Sequence, residues 1–349
     1  MLKKKQIFRI VLLSATVISM FFVPWVLIKA WIMPLPLTVQ GQVDEAITHG
    51  LDGMLVYVDK AGQPPEFYAA GWHDRKKQIP ANPHALFKIA SISKLYDAVA
   101  ITKLISAKRL SLDGTLAEYF PELVGRIEYA DKITLGLMVQ HRSGIPNLTD
   151  TPEFWSNPPN SSEQALALVL DKPANFKPDA DYEYSNTNYL LLSELINKVL
   201  GYDNFQYYQQ EIIQPLGLQH TFASINDVNQ EDVMSGYYVG LEEDLKAAEY
   251  GSRITSMIAT AQDVGIFLRA LNDGSVFADE KEKEIYSAIY VYEHTGWVPG
   301  YQSIAKYHQD IDTVVIQFNN TTGGYHWNTA EIVNQRIVKI LRRDNNIAD

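Results

Sequence analysis

The 349-residue chain contains no cysteine, which removes disulfides, thiol nucleophiles and thiolate metal sites from consideration. It is also short of positive charge: 30 lysines and arginines face 41 aspartates and glutamates, a formal net charge of −11. Binding a phosphate backbone needs a basic face, so this balance argues against nucleic acid as a partner. Neither common type of glycine-rich phosphate loop occurs. The eight histidines (His49, His73, His84, His141, His220, His294, His308 and His326) show no zinc-type spacing such as H-E-x-x-H. Nothing here points to a metal enzyme.

Against these absences the N-terminus stands out. Lys3, Lys4, Lys5 and Arg9 precede "IVLLSATVISMFFVPWVLI", residues 10–28, which carries no charge. That is close to the roughly 20 apolar residues a bilayer-spanning helix requires. Trp25 and Trp31 lie toward its far end, and amphipathic rings favour the membrane boundary. A basic cluster stays on the cytoplasmic side, so the expected layout is a cytoplasmic N-terminus (1–9), an uncleaved single-pass signal-anchor (10–33), a tether (34–43) and an extracytoplasmic domain (44–349). A cleaved signal peptide is the alternative, but no small-x-small site follows the apolar run. There is no cysteine for a lipid anchor, and the one-sided basic flank argues against a buried core helix.

Beyond the tether, "MLVYV" (54–58) and "EFYAAGW" (66–72) read as paired strands around a turn. "FKIASISKLYDAVAITKLI" (87–105) spaces Leu95, Val99, Ile101, Leu104 and Ile105 for one face of a helix. Residues 106–249 are mostly helical in pattern, interrupted by loops such as "SNPPNSS" and "DKPANFKPDAD". "TAQDVGIFLRALNDG" is another helix, ending at glycine. Strand signals then return in "IYSAIYVYEHTG", "YQSIAKYHQ" and "DTVVIQFNN", before a closing amphipathic helix, "TAEIVNQRIVKILRR". The expected class is α/β (α+β): an antiparallel sheet flanked by helices and assembled from both ends of the chain (about 44–105 and 250–349). A mostly helical lobe (about 106–249) would be inserted between.

Two Ser-x-x-Lys pairs occur, Ser91–Lys94 and Ser303–Lys306. In a helix, residues three apart share a face and a lysine amine reaches a serine hydroxyl. In a strand they point to opposite sides. "YQSIAKYH" reads as strand, whereas Ser91 and Lys94 lie at the first turn of a helix, where unpaired N–H groups suit an oxyanion. Ser91 is therefore the candidate nucleophile and Ser303 the decoy. A serine hydroxyl is weak until something takes its proton, so Lys94 needs a partner that relays protons. "DYEYSNTNYLLLSELINKVLG" offers Tyr184 and Asn186 at a polar turn before a helix. The similar "YDN" at 202–204 reads instead as a helix start capped by Asp203. "YEHTGWVPGYQS" offers His294, Thr295 and Gly296 where a strand meets a turn, while "HRSG" at 141–144 reads as loop.

Ser91-x-x-Lys94, Tyr184-x-Asn186 and His294-Thr295-Gly296, in that order, resemble the three motifs of the serine β-lactamase and penicillin-binding protein family. The tyrosine form is similar to class C β-lactamases, D-alanyl-D-alanine carboxypeptidases and their esterase relatives. Segments such as "LSLDGTLAEYFPE", "ITLGLMVQHRSGIP" and "QPLGLQHT" extend the resemblance over most of the chain from about residue 44. It implies that Ser91 attacks a carbonyl while Lys94 and Tyr184 move the proton. Asn186 would hold a substrate amide, His294 and Thr295 a carboxylate, and the backbone N–H groups of Ser91 and Trp297 the oxyanion. No cofactor is implied. The implied substrates are a peptidoglycan stem peptide, a β-lactam or a small ester. Carboxypeptidase is the leading reading, esterase or β-lactamase the alternative, and a non-catalytic wall-binding or sensory protein the rival from another class. Two departures accompany it. His294 stands where many relatives carry lysine, and "RITSMIATAQDV" lacks an expected glycine pair, which would reshape the wall near Thr255 and Ser256.

Overall fold

The structure is a computed structural model that describes residues 4–250 and 257–345. Three strands from the front of the chain, β1 (Gly53–Lys60), β2 (Glu66–Asp74) and β3 (Ile79–Pro80), join three from its end. These are β4 (His294–Val298), β5 (Tyr301–His308) and β6 (Thr313–Asn319). They form one antiparallel sheet in the order β3-β2-β1-β6-β5-β4. The first and last parts of the chain therefore meet along β1–β6, with Val56 opposite Gln317 and Val58 opposite Val315. Alternation sends Met54, Val56 and Val58 to one face, against α3 (Val39–Ile47) and the closing helix His326–Asp344. Leu55 and Tyr57, with Val314, Ile316 and Phe318, face the other way into the larger core. There they meet the helix Ala261–Asp273 and, beyond it, the helical lobe. The mixed helix and antiparallel-sheet class is as the sequence predicts.

Four local expectations change. The apolar N-terminal run is not one helix. It forms α1 (Lys4–Met20) and α2 (Trp25–Ile32), bent by 73° across the break that contains Pro24. Proline lacks an N–H and clashes with the preceding turn, so it starts α2 instead of continuing α1. Among the described residues no single helix is long and apolar enough to cross a membrane, although the bent pair passes that test by length and composition. The segment expected as a tether is largely structured. Arg336 donates to the carbonyls of Met33 (2.8 Å) and Pro34 (2.9 Å) and to Gln42, and α3 begins at Val39 under a Thr38 cap. "IYSAI" is helix, not strand, within Glu280–Ile289. Asp279 caps that helix by accepting from the Glu282 N–H, and Glu282, Tyr286 and Ile289 share its buried side. The expected helical lobe holds just one described helix longer than six residues, Asn186–Leu200; short helices and 3-10 turns make up much of the rest.

The helix that follows Ser91, α4 (Ser93–Ser106), lies at the centre of the molecule. Every residue from Ser93 to Leu104 is buried, where the apolar spacing alone predicts a single covered face. A helix enclosed on all sides holds its first turn rigidly.

Candidate active site

Ser91 sits half-exposed on a 3-10 turn, Ala90–Ile92, that leads into α4. Ala90 has φ +49°, a left-handed conformation that costs a non-glycine residue energy and marks a constrained turn. Two bonds hold the turn's entry: the Ile89 N–H donates to the Met257 carbonyl (3.1 Å), and Ser303 Oγ donates to the Ile89 carbonyl (3.0 Å). The decoy serine thus has a structural task. It lies on β5, with Lys306 three residues along the same strand.

Lys94, wholly buried in the first turn of α4, donates from Nζ to Ser91 Oγ (3.1 Å) and to Asn186 Oδ1 (2.9 Å). Tyr184 donates its hydroxyl to the same Ser91 Oγ (2.9 Å). Asn186 is the first residue of its helix and is tied at both ends. Its Nδ2 donates to Asn147 Oδ1 (3.3 Å) and Thr149 Oγ1 (3.1 Å), and its backbone N–H donates to Asn147 Oδ1 (2.9 Å). The side-chain amide therefore orients Lys94 rather than reaching into open space.

The third motif lies on β4, the edge strand beside the Ser91 turn. A Cβ on Gly296 would overlap the Ile89 carbonyl and Ser303 hydroxyl and touch the Ala90 side chain. Only glycine lets the strand come this close. His294 is engaged through both ring nitrogens: Nδ1 meets the Thr295 carbonyl (2.5 Å) and Nε2 meets the Tyr290 hydroxyl (3.0 Å). A carbonyl only accepts, so Nδ1 carries the proton and Nε2 accepts from the tyrosine. Burial, and then the nearby Lys94 charge, push its pKa down to about 4. His294 is neutral near pH 7 and has no free nitrogen for a carboxylate.

Ser91, Lys94, Tyr184 and Asn186 are thus bonded to one another, with Gly296 packed on the nucleophile's turn and His294 6.3 Å from Tyr184, ring to ring. Residues 39–290 match the family model described as Beta-lactamase. The chain belongs to the Beta-lactamase family. That match spans the first two motifs and stops before His294. Protein flp of Staphylococcus aureus (strain MW2) is 28% identical over 207 residues, covering 57% of this chain and 41% of that protein. The chain therefore spans less than half the length of that relative. A Beta-lactamase of Yersinia enterocolitica is 28% identical over 231 residues, covering 64% of this chain and 56% of the other. Among solved structures, a D-amino acid amidase from Ochrobactrum anthropi SV3 superposes with a TM-score of 0.78 at 19% identity. It covers 88% of this chain and 98% of its own. A penicillin binding protein from Bacillus halodurans gives 0.73 at 20% identity, covering 86% and 98%. At such identities these two establish the shared fold.

Within this Beta-lactamase fold one site residue escaped the sequence reading. His141, from the "HRSG" loop, packs against Tyr184 with ring centres 4.4 Å apart and planes tilted by 31°, and its Nδ1 accepts from the Ser185 N–H (3.1 Å). Burial, and then the nearby Lys94 charge, push its pKa down to about 3. A neutral ring thus backs the tyrosine that bonds Ser91. The available signal was the segment "ITLGLMVQHRSGIP", which names no role for the histidine. A cleft of about 570 Å³ opens beside Tyr184, His294 and Thr295, with Glu293 and Lys306 also on its walls. Thr255 and Ser256 lie outside the described residues.

Proposed function

We propose that this protein is a membrane-anchored serine hydrolase that works through an acyl-enzyme on Ser91. The observation that carries the reading is the single oxygen, Ser91 Oγ, bonded at once to Lys94 Nζ and the Tyr184 hydroxyl. In the proposed reaction one member of the Lys94–Tyr184 pair is first deprotonated, as free amine or phenolate; Oγ then attacks the substrate carbonyl carbon as its proton passes to that group. The carbonyl oxygen takes the negative charge and is held by the backbone N–H groups of Ser91 and Trp297. As the tetrahedral species collapses, the scissile bond breaks and Tyr184 delivers the proton to the leaving nitrogen or oxygen. Water then attacks the ester, the acid leaves and Ser91 regains its proton.

The proposed substrate is a peptidoglycan stem peptide ending in D-Ala-D-Ala, with β-lactams as inhibitors or poor substrates. A terminal carboxylate in the cleft would meet Thr295 and the Lys306 ammonium, since His294 is neutral and fully bonded. That same neutrality favours one alternative on the same serine, an esterase acting on substrates without a carboxylate. For the location, the bent pair α1–α2 would together carry the chain across the bilayer from the basic cytoplasmic end, with the exposed Trp25 and Trp31 toward the outer boundary. Alkaline phosphatase fused after residue 40 should be active in cells; an inactive fusion would remove the extracytoplasmic placement.

The test of the chemistry is covalent labelling of the full-length protein by a fluorescent penicillin, followed over time by intact mass beside Ser91→Ala. A label that needs Ser91 and persists supports a penicillin-binding carboxypeptidase, and one that decays within seconds supports a β-lactamase. No label with β-lactams, but serine-dependent turnover of esters, leaves the esterase. Equal behaviour of wild type and Ser91→Ala toward every acyl donor would mean a non-catalytic protein.

A further inference from the structure

Among the described residues, the most exposed large apolar side chains lie together near the front of the chain. Trp31 is 74% exposed, Ile32 72% and Leu37 83%, and after Leu37 none exceeds the 58% of Tyr182. Helical spacing sorts α2 into two sides. Ala30 is buried and Val26 and Leu27 half-buried where α2 packs on the closing helix, while Trp25, Lys29 and Ile32 form the opposite stripe, open to solvent. The link beyond α2 does not swing free. Arg336 and Arg343 of the closing helix hold the carbonyls of Met33, Pro34, Pro36 and Leu37, and the Leu37 side chain is left outward. The patch is thus fastened to the domain.

Its rim is basic. Lys29 lies in the stripe itself, and the exposed Lys339 stands between Arg336 and Arg343 on one side of the closing helix. Two carboxylates beside it, Glu45 and Asp344, are each paired with an arginine, Arg336 and Arg343. The net charge of −11 makes an anionic surface repel the chain as a whole, so a basic-rimmed face is where approach is favourable. Exposed indoles with a basic border match the edge of a bilayer, where rings sit at headgroup level and lysine stems reach out to phosphate. The stripe also continues the exposed apolar surface of α1 through Phe21 and Phe22, a continuity that no protein partner requires. We infer that the outer stripe of α2, Leu37 and their basic rim form a docking face for an anionic lipid bilayer, so that the domain rests on the membrane instead of hanging from a tether. This rests on the membrane-anchor reading above. The closing helix lies on one face of the sheet, and the helical lobe and the Ser91 turn lie on the other. Docking therefore keeps Ser91 across the sheet from lipid, turned toward substrates that stand off the membrane at a fixed height.

The chain has no cysteine, so one introduced cysteine carries a fluorophore at a single place. The labelled full-length protein is reconstituted into vesicles of phosphatidylglycerol and phosphatidylcholine, with a nitroxide-bearing lipid as quencher. Val17→Cys reports insertion of α1, Leu37→Cys the docking face, and Lys172→Cys the helical lobe across the sheet. Quenching at position 37 should exceed that at position 172 by at least about threefold, since docking brings the label to the headgroup and acyl boundary. Lys29→Glu combined with Lys339→Glu should lower it about twofold in these vesicles and leave it unchanged in phosphatidylcholine alone. Quenching at position 17, with none above the control at position 37, would overturn docking and leave the anchor standing. Shielding of position 37 that grows with protein density instead of lipid contact would assign the face to a second copy and overturn it too. Equal quenching at position 37 in both lipids and in the charge variants would overturn the choice of anionic lipid. No quenching at position 17 would overturn the anchor reading, and docking with it.

Discussion

At the scale of single residues, Gly296 sets the distance between the edge strand and the nucleophile. A methyl group there would overlap the Ile89 carbonyl and the Ser303 hydroxyl. Gly296→Ala is therefore expected to lower the rate of Ser91 labelling about 100-fold, because a shift of about 1 Å in the site suffices for that. The overpacking should lower stability by only about 2 kcal/mol. Stopped-flow labelling beside a denaturant melt separates the two effects, and full activity in the alanine variant would show that β4 does not press on the turn. The residue types needed for acyl transfer were legible because they are few and lie in order. Their hydrogen bonds were not: that Asn186 spends its amide on Lys94, Asn147 and Thr149 depends on segments well separated in the chain, and that His294 spends both nitrogens on its near neighbours Tyr290 and Thr295 depends on the local folded geometry at the start of β4.

At the scale of elements, the segment between α2 and α3 is held by the closing helix. Arg336 is buried and binds the Met33 and Pro34 carbonyls, Gln42 and Glu45, while Arg343 donates to the carbonyls of Pro36 and Leu37. Removing one partner from a buried charged network costs about 3 kcal/mol. Arg336→Leu should therefore open residues 33–38 to limited proteolysis while Ser91 labelling continues at a near-normal rate. Resistance equal to wild type would show that the helix contacts alone hold this segment. Period-two alternation made β1, β2, β5 and β6 readable. "IYSAIYVY" misled because β-branched and aromatic residues suit strands, whereas the Asp279 cap and the upstream charged residues commit the segment to helix. Local propensity yielded to what the segment packs against.

At the scale of the whole molecule, buried neutral histidines give folding a defined pH dependence. Burial pushes the pKa of His141 down to about 3 and those of His294 and His308 to about 4. An unfolded histidine takes up a proton near pH 6.5, and these folded ones do not. Their contribution is thus complete above about pH 6.5 and is lost as pH falls through 6 and 5 toward 4. Asp97 acts the other way. Burial raises its pKa to about 6, so the folded state gains relative to the unfolded one as pH falls from 6 through 3.8. Burial lowers His73 as well and raises Asp263, so four histidines outweigh two aspartates, and Tm is expected to be level from pH 8 to 7 and to drop between pH 6.5 and 5. His308→Asn, away from Ser91, should reduce that drop by about a quarter. A Tm unchanged between pH 7 and 5 would show that these rings protonate in place.

The sequence by itself determined the class of chemistry. Absence of cysteine and an excess of negative charge removed whole categories, and three short motifs supplied a candidate nucleophile, candidate proton carriers and a strand edge, because such reactivity resides in side-chain type. It also determined the sheet's main strands, since alternation needs only neighbouring residues. The tertiary structure decided the rest: the neutral state of His294 and the packing of His141 against Tyr184. Each of these depends on segments brought together by folding, or on how deeply a ring is removed from water. Both are properties of the packed chain and not of any stretch within it.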